Sequence, residues 1–153
     1  DGRIAEDFKL SSGGFVSVGP LRAQVIATGG PYIMDVVVAA PNRQRIGLLV
    51  FPHIEEMRSL VGADATARAQ DILDSPVARE WLLALINRLN EKATGVATRI
   101  DWAAWLTEPP ALDKGEITDK GSVNQRAVLT HRAEKIESLY DGTDPSRLLA
   151  SQD

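Results

Sequence analysis

Two stretches limit what this chain can fold into: YIMDVVVAA, from Tyr32 to Ala40, and IGLLVF, from Ile46 to Phe51. Both are rich in β-branched and large aliphatic residues, which fit a pleated, packed surface better than a helix. Between them lies PNRQR, a polar turn. The two stretches are expected to be central strands of a sheet, which the rest of the chain must extend or cover.

The covering material is legible too. Ser75-Pro76 offers an N-cap and a first-turn proline, after which Val77, Trp81, Leu85 and Leu89 recur every four residues. Leu82 and Ile86 widen that stripe and Gly95 follows it, so a helix packed on the sheet is expected. Shorter helices are expected over Leu21 to Ala27, stopped by Gly29-Gly30-Pro31, over Ile54 to Val61, and over Ala63 to Leu73. ATRIDWAAWL places Ile100, Trp102, Ala104 and Leu106 on one face and predicts another strand, ended by Pro109-Pro110. From Ser122 the pattern is helical again, with Leu129, Ala133, Ile136 and Tyr140 along one stripe. Ser122 and Gln125 fit a capping box, which starts that helix right after Gly121. At the amino end, Phe8-Lys9-Leu10 and Phe15-Val16-Ser17-Val18 flank Ser11-Ser12-Gly13-Gly14 as a hairpin would. The sum is α+β: a small mixed sheet with an N-terminal β-hairpin and helices packed on it.

Composition narrows the function. The 153 residues suit one domain with a real core, and a net charge of −4 gives no footprint for nucleic acid. The absence of cysteine excludes disulfides, thiolate metal sites and a cysteine nucleophile. With His53 and His131 the only imidazoles, no histidine-rich metal site is expected. No signal peptide or long apolar run is visible, so no membrane partner and a cytoplasmic location are expected. Trp81, Trp102 and Trp105 sit at core spacing, and Glu134 and Lys135 read as a solvated face. The chain opens DGRIAEDFKL without a methionine, which reads as a piece of a longer protein cut at a linker, or as tag removal.

The stretch GEITDKGSVNQRAVL, residues 115 to 129, carries the question of function. Lys114 precedes it, Lys120 lies within it, and Gly115 and Gly121 bracket a loop that enters a helix. Those residues alone fit a solvated turn as well as a loop that carries a lysine to a phosphate.

The ends of the chain, taken together, resemble one family. DGRIAEDFKLSSGGFVSVGPLR is similar to the hinge segment of adenylate-forming enzymes: acyl-CoA synthetases, luciferases and peptide-synthetase adenylation domains. Gly2-Arg3, Phe8-Lys9 and Ser12-Gly13-Gly14 match its Gly-Arg pair, hydrophobic-Lys pair and glycine loop. DVVVAAPNRQRIGLLVFP resembles the strand pair that follows, and GEITDKGSVNQRAVL falls where the family carries a near-terminal catalytic lysine. The wording of both end motifs is similar to bacterial feruloyl-CoA synthases, which activate hydroxycinnamates.

That resemblance implies a C-terminal lid domain over residues 1–153, with hinge and hairpin at 1–20 and an α+β body at 21–153. The large N-terminal adenylation domain, its implied partner, would hold most of the ATP, Mg2+ and acid pockets. A carboxylate would attack the α-phosphorus of ATP, and the thiol of coenzyme A would then displace AMP. The resemblance assigns Lys120, after a two-residue shift from long-chain relatives, to the adenylation step, with Lys114 in reserve. It assigns Arg3 to the ribose hydroxyls and Ala5 and Glu6 to the pivot; Ala5 stands where relatives often carry Asp or Lys. Lys9, Ser12, Gly13 and Gly14 would line the coenzyme A channel, and Arg22, Arg43 and Arg45 could meet its phosphates. The competing readings are a non-catalytic α+β binding module and the lid of a related enzyme with another acceptor.

Overall fold

A computed structural model describes residues 7–41 and 43–152. The hairpin forms from β1 (Phe8–Lys9) and β2 (Phe15–Val16), with Lys9 opposite Phe15. It runs directly into α1 (Val18–Gly29), longer than the helix expected from Leu21 to Ala27. The first free amide of that helix, on Val18, donates to the Asp7 carboxylate at 2.9 Å, which extends the helix back to the hairpin.

The two apolar stretches form β3 (Ile33–Ala39) and β4 (Ile46–Pro52), an antiparallel pair in which Val36 faces Val50 and Val38 faces Leu48. A helical crossover follows: α2 (Ile54–Val61), α3 (Ala69–Asp74) and α4 (Pro76–Asn90). It returns the chain to β5 (Ile100–Trp105), parallel to β4, and supplies the long crossover that a parallel pair requires. A 3-10 turn (Leu112–Lys114) leads on to α5 (Gln125–His131), α6 (Ala133–Asp141) and the short antiparallel strand β6 (Leu148–Leu149). The sheet order is β3-β4-β5-β6, so the expected α+β architecture with a mixed sheet is observed.

Both faces of the sheet are covered. Val36, Val38, Leu48 and Val50 pack with residues of α1 and α4, while Val37, Ala39, Leu49, Phe51 and Trp102 pack with α5 and α6. Strands buried on both sides read as unbroken apolar runs rather than alternation, which is why these two are so conspicuous in the sequence.

Three local expectations are corrected. The helix expected over Ala63 to Leu73 exists only as α3, because Asp64 closes a turn that competes with it. Its carboxylate accepts from the Thr66 amide at 2.9 Å and the Thr66 hydroxyl at 2.7 Å. The buried stripe of α4 is Ala78, Leu82, Leu85 and Ile86, whereas Val77 at its amino end is exposed. The last helical stretch breaks at Arg132 into α5 and α6, with Arg132 at φ −111° and ψ 26°.

Candidate functional site

Residues 116–124 fold into a short two-stranded ribbon. Ile117 and Val123 bridge antiparallel, the Thr118 amide donates to the Ser122 carbonyl at 2.9 Å, and the Asn124 amide donates to the Glu116 carbonyl at 2.8 Å. The tip is a turn in which the Gly121 amide donates to the Thr118 carbonyl at 2.9 Å. Gly121 sits at φ +86°, a left-handed geometry that a Cβ resists. Residues 118–122 are all exposed, with Lys120 on this turn. Among the described residues no side chain pairs with the Lys120 ammonium.

The ribbon is rooted at three points. Glu116 is only 1 % exposed, and its carboxylate accepts from the Ala111 amide at 2.8 Å and from Arg132 Nε and Nη2 at 3.0 and 2.9 Å. The hydrogen-bonded Arg132 guanidinium holds this carboxyl below the usual range despite burial. Arg132 also donates to the Glu108 and Pro109 carbonyls at 3.1 and 3.0 Å and lies 5.1 Å from the Phe51 ring centre. At the other root, Gln125 is buried and its carboxamide bonds both polar groups of the Val38 peptide on β3. Arg22 on α1 supplies the third, reaching Asp35 at 3.0 Å and the Val123 carbonyl at 3.3 Å.

The capping box is therefore corrected. Asn124, not Ser122, caps α5, its side-chain oxygen accepting from the Ala127 amide at 3.1 Å. Ser122 belongs to the ribbon, and Gln125 turns inward instead of back to the cap. Lys114 ends the 3-10 turn and lines a 640 Å³ groove with Thr107, Glu108, His131 and the ribbon's root residues Glu116 and Arg132. Lys135, expected on a solvated face, reaches Asp144 at 2.8 Å. Burial pushes the Asp144 carboxyl up, but Lys135 and the Ser146 hydroxyl and amide outweigh it and hold the group at about 2.

At the hairpin, Lys9 is exposed on β1. The tip rests on the turn between β3 and β4: the Ser11 amide donates to the Arg43 carbonyl at 2.8 Å and Ser12 Oγ to the Gln44 carbonyl at 3.1 Å. Gly13 needs its φ of +104° and has open space beside it, whereas a Cβ on Gly14 would come within 2.8 Å of the Ala97 Cβ. Arg43 lies over the Tyr140 ring at 4.4 Å and pairs with Glu137, and Arg45 is 3.7 Å from Asp101. Gly2, Arg3, Ala5 and Glu6 lie outside the described residues.

Sequence reasoning missed Glu116 and Arg132, and read Gln125 as half of a capping box rather than as a buried partner of Val38. Each is a polar residue in a polar stretch, and no periodicity separates a buried one from its solvated neighbours. Among the described residues, no group of three or more His, Asp or Glu side chains could hold a metal ion, and no helix is long and apolar enough to cross a membrane.

The sequence profile described as the AMP-binding enzyme C-terminal domain matches residues 9–144. No curated protein matches the chain in sequence. Among solved structures, the A-PCP didomain of carboxylic acid reductase from Segniliparus rugosus, in complex with AMP, aligns with a TM-score of 0.64 at 20% identity. That alignment covers 89% of this chain and 17% of the other. The adenylation domain of a carboxylate reductase from Mycobacterium chelonae aligns with a TM-score of 0.62 at 22% identity, over 91% of this chain and 20% of that one. These likenesses establish a shared fold, and this chain spans about a fifth of the solved chains it resembles.

Proposed function

The chain belongs to the AMP-binding enzyme C-terminal domains, and from that membership we propose that it is the small lid domain of an enzyme that converts a carboxylic acid to its acyl-adenylate and then to a thioester. In the first half, a carboxylate oxygen attacks the α-phosphorus of ATP, the bond to pyrophosphate breaks, and acyl-adenylate forms. In the second, a thiol attacks the acyl carbon, loses its proton, and expels AMP. The acceptor is read as coenzyme A and the acid as a hydroxycinnamate such as ferulate, from the resemblance of the end motifs to feruloyl-CoA synthases. ATP and Mg2+ would be held mainly by a large adenylation domain, and the enzyme would act in the cytoplasm.

The observation that carries this reading is the unpaired Lys120 ammonium on an exposed but firmly rooted ribbon. Crowding of negative oxygens around the α-phosphate is the electrostatic difficulty of the first half. A lysine offers a compact charge on a flexible stem that can meet both carboxylate and phosphate oxygens. Hydrogen bonds at Glu116, Val123 and Gln125 tie the base of the ribbon to the body, while Lys120 stands exposed at its turn. The resemblance gives Arg3 to the ribose, Ala5 and Glu6 to the pivot, and the hairpin residues Lys9, Ser12, Gly13 and Gly14 to the thiol channel. The open space beside Gly13 is consistent with a ligand passing there.

The test is Lys120→Ala in the enzyme with its adenylation domain, each half followed separately. Acid-dependent pyrophosphate exchange is expected to fall about a hundredfold, the loss of roughly 3 kcal/mol of transition-state stabilisation. Thioester formation from pre-made acyl-adenylate should largely survive. Lys114→Ala, at the reserve position, should leave both halves within about threefold of the parent where Lys120 supplies the charge. Adenylation at the parental rate in the Lys120 variant would remove that residue from the mechanism.

A further inference from the structure

Glu116 is gripped by its side chain and by its backbone at once. The carboxylate makes a two-point contact with the Arg132 guanidinium, and the same residue's carbonyl accepts the Asn124 amide that closes the base of the ribbon. We infer that the buried Glu116–Arg132 pair is the positioning device of the lysine ribbon, fixing where the Lys120 ammonium stands. This inference rests on the reading that Lys120 acts in adenylation.

The choice of residues points to direction rather than strength. A buried ion pair stabilises a fold weakly, since desolvation offsets the attraction and an apolar pair of similar size often does as well. What a carboxylate–guanidinium fork adds is orientation, because two parallel hydrogen bonds fix the relative position and rotation of two planar groups. Arg132 is itself fixed by the Glu108 and Pro109 carbonyls and by its packing over Phe51, at the carboxyl end of β4. It also sits at the break between α5 and α6, where the backbone leaves helical geometry. The chain therefore interrupts a helix at the residue that holds the ribbon.

Leverage makes this base matter. At about 3.3 Å per residue, the two steps from Glu116 to Thr118 carry the turn roughly 7 Å beyond the base. A tilt of about 10° at the root would then move the turn by roughly 1 Å, and a misplacement of about 1 Å can cost a hundredfold in rate.

The test has two arms. In the chain alone, Glu116→Gln should speed hydrogen exchange of the Thr118, Gly121 and Asn124 amides at least tenfold while β4 amides stay protected. In the enzyme with its adenylation domain, the same variant should lower pyrophosphate exchange tenfold or more at unchanged KM for ATP. It should leave thioester formation from acyl-adenylate intact and add no further loss to Lys120→Ala. Arg132→Lys, which keeps the charge and loses the fork, should behave alike and serves if Glu116→Gln does not fold. Adenylation within twofold of the parent in a folded variant would overturn the inference. So would equal loss in both halves, or further loss in the Lys120→Ala background, since either marks general damage. If Lys120→Ala itself adenylates normally, Lys120 leaves the mechanism and this positioning role falls with it. If only the Glu116 and Arg132 variants are silent, the functional reading stands and this inference alone is wrong.

Discussion

The Gln125 carboxamide completes the peptide of Val38: it accepts from the Val38 amide at 2.9 Å and donates to the Val38 carbonyl at 2.6 Å. Val38 lies on β3, at the end of the strand order, so one side chain from α5 satisfies polar groups that no strand among the described residues reaches on that side. Unpaired edges invite pairing with other chains, and a buried unpaired amide is costly. The same contact roots the carboxyl side of the lysine ribbon.

Gln125→Leu should destabilise the protein by about 2–5 kcal/mol, because it leaves a buried donor and a buried acceptor without partners. Urea unfolding followed by far-UV circular dichroism measures this. A loss below about 1 kcal/mol would mean that water replaces the carboxamide.

Gly47→Ala should be at least as damaging, for a different reason. A Cβ at Gly47 would lie 2.0 Å from Cε2 and Cζ2 of Trp102, deep in the core between β4 and β5. Neither the ring nor the strands can give that much, so a cost above about 3 kcal/mol is expected, with a changed near-UV signal from the indole. Gly47→Ala in a Trp102→Phe background should cost less, which a double-mutant cycle would read.

The Lys135–Asp144 pair makes a prediction in pH. The Asp144 carboxyl is held at about 2, below its usual value, so its stabilising contribution is complete above about pH 4. Sign follows from the shift: the unfolded chain binds this proton at higher pH than the folded one, so stability falls as pH drops from about 4 to 2. The Lys135 side chain is 37% exposed, and solvent screening discounts the pair to roughly 1 kcal/mol at neutral pH. Asp144→Asn should therefore lower stability by about that amount at pH 7, and the difference from the parent should shrink steadily as pH falls from about 4 through 2. A difference that stays constant from about pH 4 to pH 2 would assign the cost to lost packing at this position rather than to the charge on Asp144.

The periodic elements could be read from the chain because burial repeats along them. Val36 to Ala39 and Ile46 to Phe51 announce doubly covered strands, Ser75-Pro76 announces the start of α4, and Gly13 announces its turn. Where one polar side chain outweighs the repeat, the reading failed. Asp64 shortens a helix, Asn124 takes the cap from Ser122, and Arg132 splits the last helix. Lys120 was singled out by motif, yet its freedom from partners and the firmness of its ribbon were not legible.

Sequence alone determined the α+β class, the order of the main strands and the likeness to adenylate-forming enzymes, since these depend on local propensity and on motifs in order. Tertiary structure decided which polar residues are structural: Glu116 meets Arg132 and Gln125 meets Val38 across sixteen and eighty-seven positions of chain. A carboxylate or carboxamide looks the same in the sequence whether water or a distant partner satisfies it. Only folding brings the partner, and with it the difference between a solvated loop and a rooted one.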